Sequence, residues 1–123
     1  MKYKLILLCL ATLFALSSCK NEDITCTMEI ITPSIDEEAE YPVFWEYQPI
    51  QISVTASTTK GTISQVEIFV DDDVIESTLV KPYNFTIPSN RIEAGLHSLT
   101  AVVFTSSGDQ AVDAQYITIK KLQ

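Results

Sequence analysis

Glycine is scarce in this chain: Gly61, Gly95 and Gly108 are the only three in 123 residues. A loop that cradles phosphate needs closely spaced glycines so that backbone N–H groups can approach the ligand, so P-loop and dinucleotide-binding chemistry is excluded. Histidine is scarcer still, with His97 alone, and no HExxH, CxxC or GxSxG pattern accompanies it. Zinc hydrolysis and the elbow-type serine nucleophile therefore lack their residues. Basic residues are also few, eight against sixteen acidic ones, for a net charge of −8. Such a surface repels polyanions, which excludes nucleic acid as a partner.

After residue 18 no stretch repeats apolar residues at helical spacing over about ten positions, so helices are not expected either. The one long apolar run is LILLCLATLFAL over residues 5–16, preceded by Lys2 and Lys4. About a dozen apolar residues suits a signal-peptide core and falls short of the roughly 20 that span a bilayer. The run ends in Leu16, Ser17, Ser18 and Cys19, which resembles the lipobox of bacterial lipoproteins. That resemblance implies removal of residues 1–18 and lipid modification of Cys19, leaving a mature protein anchored to a membrane rather than spanning it. Lys20, Asn21, Glu22 and Asp23 then resemble the charged signal that directs some Gram-negative lipoproteins to the cell surface. The expected location is the outer membrane, lipid-anchored and surface-exposed.

Of the cysteines, Cys9 leaves with the signal and Cys19 carries lipid, so Cys26 stands alone. No disulfide can form within the domain, and the fold must rest on its apolar core. Cys26 itself reads as a small buried residue rather than a reactive thiol. About 100 mature residues make one domain.

Apolar and polar residues alternate between turn signals, the period of half-buried strands. A first strand is expected over 26–32, stopped by Pro33. In a second, Ile50, Ile52, Val54 and Ala56 share one face. In a third, Val66, Ile68 and Val70 point inward, with Gln65, Glu67 and Phe69 opposite. Asp71, Asp72 and Asp73 turn the chain into a fourth strand over 74–79. Residues 83–87, bracketed by Pro82 and Pro88, suit a short edge strand. A sixth strand over 96–106 carries Leu99, Ala101 and Val103 inward, and a seventh covers 110–120. The expected fold is all-β, a seven-stranded sandwich over residues 28–121 behind a linker at 19–27.

Three blocks carry a family likeness: ISQVEIFVD over 63–71, KPYNF over 81–85 and AGLHSLTAV over 94–102. In this order they resemble the bacterial Ig-like domains found as accessory modules in secreted glycan-degrading enzymes and surface proteins. The resemblance implies an immunoglobulin-like or fibronectin III-like β-sandwich that is not an enzyme and holds no cofactor. In that family the first block enters a hairpin usually closed by Asp-Gly, whereas this chain has Asp72 and Asp73 there. A positive φ at a non-glycine residue is uncomfortable, though aspartate tolerates it better than most. His97 falls where Ig-type domains can carry a tyrosine that ties a corner to nearby backbone, and an imidazole can do the same.

Tyr41, Phe44, Trp45 and Tyr47 fall close together in the long connection between the first and second strands. Exposed aromatic rings can stack on sugars or anchor a protein partner, because they offer large rigid area at low entropic cost. Trp45, Tyr41 and Tyr47 are thus the candidate ligand-binding residues, with Phe44 expected to plug the end of the sandwich. Asp36, Glu37, Glu38 and Glu40, and the aspartates 71–73, lack an EF-hand spacing and read as solvated loop charge rather than a metal site. The expected function is a surface-anchored interaction module for a glycan or a cell-surface protein, the alternative being a spacer or accessory subunit of a larger surface assembly.

Overall fold

The computed structural model describes residues 23–88 and 92–122; the lipobox-like segment and Cys19 lie outside the described residues. Strands follow in the order β1 (Ile24–Ile30), β2 (Val43–Trp45), β3 (Pro49–Thr58), β4 (Ile63–Val70), β5 (Asp73–Thr78), β6 (Tyr83–Pro88), β7 (Gly95–Thr105) and β8 (Gln110–Lys120). They form a three-stranded sheet, β1-β3-β6, facing a five-stranded sheet, β2-β8-β7-β4-β5.

Among the described residues there are therefore eight strands, not the expected seven. The addition is β2, whose three residues are too few to display an alternation. It exists because it pairs in parallel with β8, setting Val43 opposite Thr118 and Trp45 opposite Lys120. β1 also begins earlier than expected, inside the segment read as linker. Ile24 lies opposite Thr58, and Ile24 and Met28 are buried.

The two inner faces interdigitate as the alternation requires. Ile50, Ile52 and Val54 of β3 meet Val66 and Ile68 of β4, Leu99, Ala101 and Val103 of β7, and Ile117 and Ile119 of β8, all buried. Phe44 is wholly buried and seals the end of this core. β6 is an outer strand of its sheet, as its flanking prolines suggested.

An open edge exposes unpaired backbone groups and invites pairing with other chains. Side chains of β8 cover part of that edge on β1: Met28 N–H donates to Asp113 Oδ2 at 2.8 Å, and Gln115 Nε2 donates to Met28 O at 3.1 Å. Cys26 is half-buried beside these bonds, its thiol pushed up to about 12 by burial and by the Asp113 carboxylate. Thiolate chemistry is thereby suppressed.

Strand directions give the sandwich two distinct poles. Ile24 is opposite Thr58, Ile63 opposite Thr105, and Gln110 opposite Phe104, so these residues mark the pole where the described chain starts. Val70, Asp73, Gly95 and Lys120 mark the other. At the N-terminal pole the β3–β4 turn needs Gly61, which has φ +76° and leaves room for Ser106 Oγ, 2.5 Å from where a Cβ would lie. That hydroxyl accepts the Thr62 N–H at 3.0 Å.

Candidate functional site

The parallel β2–β8 pair sets which aromatic side chains reach the surface. Inward Phe44 is opposite inward Ile119, so Trp45 and Lys120 both point outward. Lys120 Nζ lies 5.6 Å from the centroid of the Trp45 ring, within cation–π range. Trp45 remains 38% exposed.

Beyond Trp45 the chain reverses in a four-residue turn. Gln48 N–H donates to Trp45 O at 3.1 Å, Trp45 N–H donates to Gln48 Oε1 at 2.9 Å, and Glu46 N–H donates to Lys120 O at 2.8 Å. The third residue of this turn, Tyr47, has φ +71° and is 63% exposed. A bulky side chain is rarely found at positive φ, where a turn of this kind ordinarily carries glycine. The surrounding bonds hold Tyr47 in that costly conformation with its ring in solvent.

Tyr41 lies before β2 and meets Tyr116 of β8, with centroids 5.3 Å apart and planes at 50°. Glu40 accepts a hydrogen bond from the Tyr41 phenol and raises its pKa, with further contributions from burial and Tyr116. The three expected residues thus lie along one edge at the pole opposite the N-terminus. Two others, Tyr116 and Lys120, were not anticipated. The alternation of β8 placed both on its outer face, but only the parallel register of β2 shows that they adjoin Tyr41 and Trp45.

At the same pole lies a second polar group. His97 Nδ1 is 2.8 Å from Asp71 Oδ2, and Nε2 is 2.6 Å from the carbonyl oxygen of Glu93. A backbone carbonyl only accepts, and a carboxylate does the same when ionised, so both ring nitrogens carry protons in the fully bonded state. Burial of the ring opposes protonation, but the Asp71 carboxylate and the Glu93 carbonyl outweigh it and raise the His97 pKa. The Asp71 pKa is lowered by His97 and by the Ser98 N–H. The ring ties its corner to backbone four residues upstream, as the sequence position suggested.

The positive φ expected near Asp72 and Asp73 falls instead on Asp71, at 55°. Register explains the position: Val70 is opposite Asp73, leaving Asp71 and Asp72 as the turn. Glycine would fit this position with less strain and would keep the backbone bond to Ser98 O, donated by Asp71 N–H at 2.8 Å, but it would lose the carboxylate, whose Oδ1 accepts Ser98 N–H at 3.1 Å. Among the described residues, no group of three or more His, Cys, Asp or Glu side chains is placed to hold a metal ion.

Two facing sheets, a parallel strand at one edge and a corner tied by a ring define an immunoglobulin-like or fibronectin III-like sandwich. Residues 27–101, more than half of the chain, match the bacterial Ig domain family, and the chain belongs to that family. Among solved structures it is similar to the fibronectin(III)-like modules of Clostridium thermocellum CbhA, with TM-score 0.61 and 22% identity over 79% of this chain and 100% of that one. It is also similar to an endo-β-1,4-mannanase from Thermotoga petrophila, with TM-score 0.57 and 17% identity over 82% of this chain but 20% of the enzyme. A superoxide reductase from Ignicoccus hospitalis shares the fold as well, with TM-score 0.58 and 12% identity over 86% of this chain and 89% of that one. No curated protein matches the chain. Proteins of such different names on one sandwich mean that these likenesses carry the fold and not the activity.

Proposed function

We propose that the protein is a non-catalytic lipoprotein, anchored through Cys19 in the outer membrane and displayed at the cell surface. Its Ig-like domain acts as an interaction module whose aromatic edge binds a glycan. The observation that carries this reading is Tyr47, an exposed ring held at positive φ two residues after the exposed Trp45. Strain of this kind persists only where surrounding structure over-determines it, and it gathers at binding sites. Flat rings fixed on a strand edge suit the apolar faces of pyranose sugars, and Lys120 and Glu46 beside them offer hydrogen-bonding groups.

A glycan array probed with the mature protein tests the proposal, with Trp45→Ala and Tyr47→Ala alongside. Retention of one class of polysaccharide, lost by about tenfold or more in either variant, is the expected result. An array that stays blank for the wild type, or binding that neither substitution weakens, overturns it.

A further inference from the structure

Leu79 and Val80, adjacent in the β5–β6 connection, are 69% and 70% exposed, the highest values among the large apolar side chains of the described residues. Both stand at the N-terminal pole, because β5 runs from Asp73 at the far pole to Thr78 at this one. Their backbone is held in place: Thr78 Oγ1 donates to Val80 O and accepts Val80 N–H, each at 3.3 Å. The neighbouring β3–β4 turn repeats the device, with Thr58 Oγ1 donating to Lys60 O at 2.9 Å and accepting Lys60 N–H at 3.2 Å. Lys81 follows Val80 and is exposed. Between these tips runs an open groove of about 560 Å³, lined in part by Ile63, Leu79, Val80, Lys81 and Tyr83.

An isolated exposed leucine is ordinary, but an adjacent apolar pair on a fixed tip with Lys81 beside it matches the chemistry of a lipid interface. The course of the chain points the same way. Asp23 is fastened beside the groove, its carbonyl accepting Thr59 N–H at 2.9 Å and its carboxylate 3.2 Å from Lys60 Nζ. Cys19 precedes Asp23 by so few residues that a fully extended tether reaches at most about 14 Å.

We propose that this pole seats on the lipid leaflet that holds the anchor, with Leu79 and Val80 entering the headgroup boundary and Lys81 facing the lipid phosphates. The proposal rests on the reading of Cys19 as the acylated residue. It adds an orientation: the strands stand away from the membrane, and the Trp45 edge is held roughly 35 Å above it, the length of a strand such as β7.

The test uses the full lipidated protein in phosphatidylethanolamine/phosphatidylglycerol vesicles, with an environment-sensitive fluorophore on Val80→Cys or, at the far pole, on Asp72→Cys. Cys26 stays unlabelled under brief reaction because its thiol is half-buried and weakly acidic. The expected result is that nitroxide-bearing lipid quenches the Val80 position several-fold more than the Asp72 position, while aqueous iodide does the reverse. Vesicle flotation separates the two readings. Protein that floats with both positions equally open to iodide overturns the seating and leaves the anchor standing. Protein that does not float, or that floats as well with Cys19→Ser, overturns the anchor and the seating with it.

Discussion

The two poles of this sandwich are built by opposite means. At the N-terminal pole the turns are small and hydroxyl-clasped, Gly61 takes the left-handed backbone position, and the exposed side chains are aliphatic or lysine. At the far pole Gly95 takes one positive-φ position but Tyr47 and Asp71 take two others, exposed aromatic rings stand among exposed aliphatic side chains such as Val74 and Leu96, and an ionisable pair closes the corner. One end has turns at low conformational cost and the other keeps strained residues for what their side chains do. Selection for stability alone favours glycine at positive φ. A pole that forgoes it twice is the one where function is sought.

The contrast is tested most severely by removing a large side chain from each pole. Phe44→Ala empties a fully buried site between the sheets and is expected to cost about 3–5 kcal/mol in urea unfolding. Val80→Ala removes a side chain that is 70% exposed and is expected to stay within about 0.5 kcal/mol of wild type. Equal losses would mean that the N-terminal pole, too, is packed for stability and has no exposed tip to offer a membrane.

The next largest effect is a pH dependence at the far pole. The His97 pKa is raised above its ordinary 6.5, so its contribution to stability is complete below that value and is lost as pH rises through the higher folded-state value. The Asp71 pKa is lowered from 3.8, so its contribution is present above that value and is lost as pH falls through the lower folded-state value. Both shifts describe one ion pair, which is intact between the two ordinary values. His97→Gln is expected to cost about 1 kcal/mol near pH 5, roughly 4–8 °C in Tm for a domain of this size, with the deficit shrinking at alkaline pH. A deficit that is constant with pH would show that His97 acts by packing alone.

Most of the fold was legible because alternation is a strong signal over long strands: β4, β7 and β8 each bury the residues that period two selects. β2 was not legible, since three residues carry no period and its partner β8 is remote in sequence. The same gap governed the site. Trp45, Tyr41 and Tyr47 stand out as a local cluster in the sequence, and burial of Phe44 follows from its opposite parity to Trp45. Tyr116 and Lys120 could not be joined to them, because register between remote segments is set by turns and core packing rather than by either segment. The position of strain was legible only in kind. An aspartate at positive φ was expected, but a single step in turn register decides whether that residue is Asp71 or its neighbour.

The smallest expected effect sharpens the comparison from the other side. Lys60 and Asp23 form a contact at the N-terminal pole with side chains 71% and 38% exposed. The Asp23 pKa is lowered by its hydrogen bond with Thr59 and then by Lys60, so whatever the pair contributes is present above pH 3.8 and is lost as pH falls through the lower folded-state value. Exposed pairs of this kind contribute little, because solvent and salt screen them. Lys60→Ala is therefore expected to leave the unfolding midpoint at neutral pH unchanged and insensitive to salt. The Thr59 amide, which donates to the Asp23 carbonyl at 2.9 Å, should keep its protection in hydrogen exchange. If the substitution instead frees that amide, charge rather than backbone bonding fastens the start of β1. The N-terminal pole would then depend on an ion pair as the far pole depends on His97 and Asp71, and the difference between the two ends would narrow to their exposed side chains.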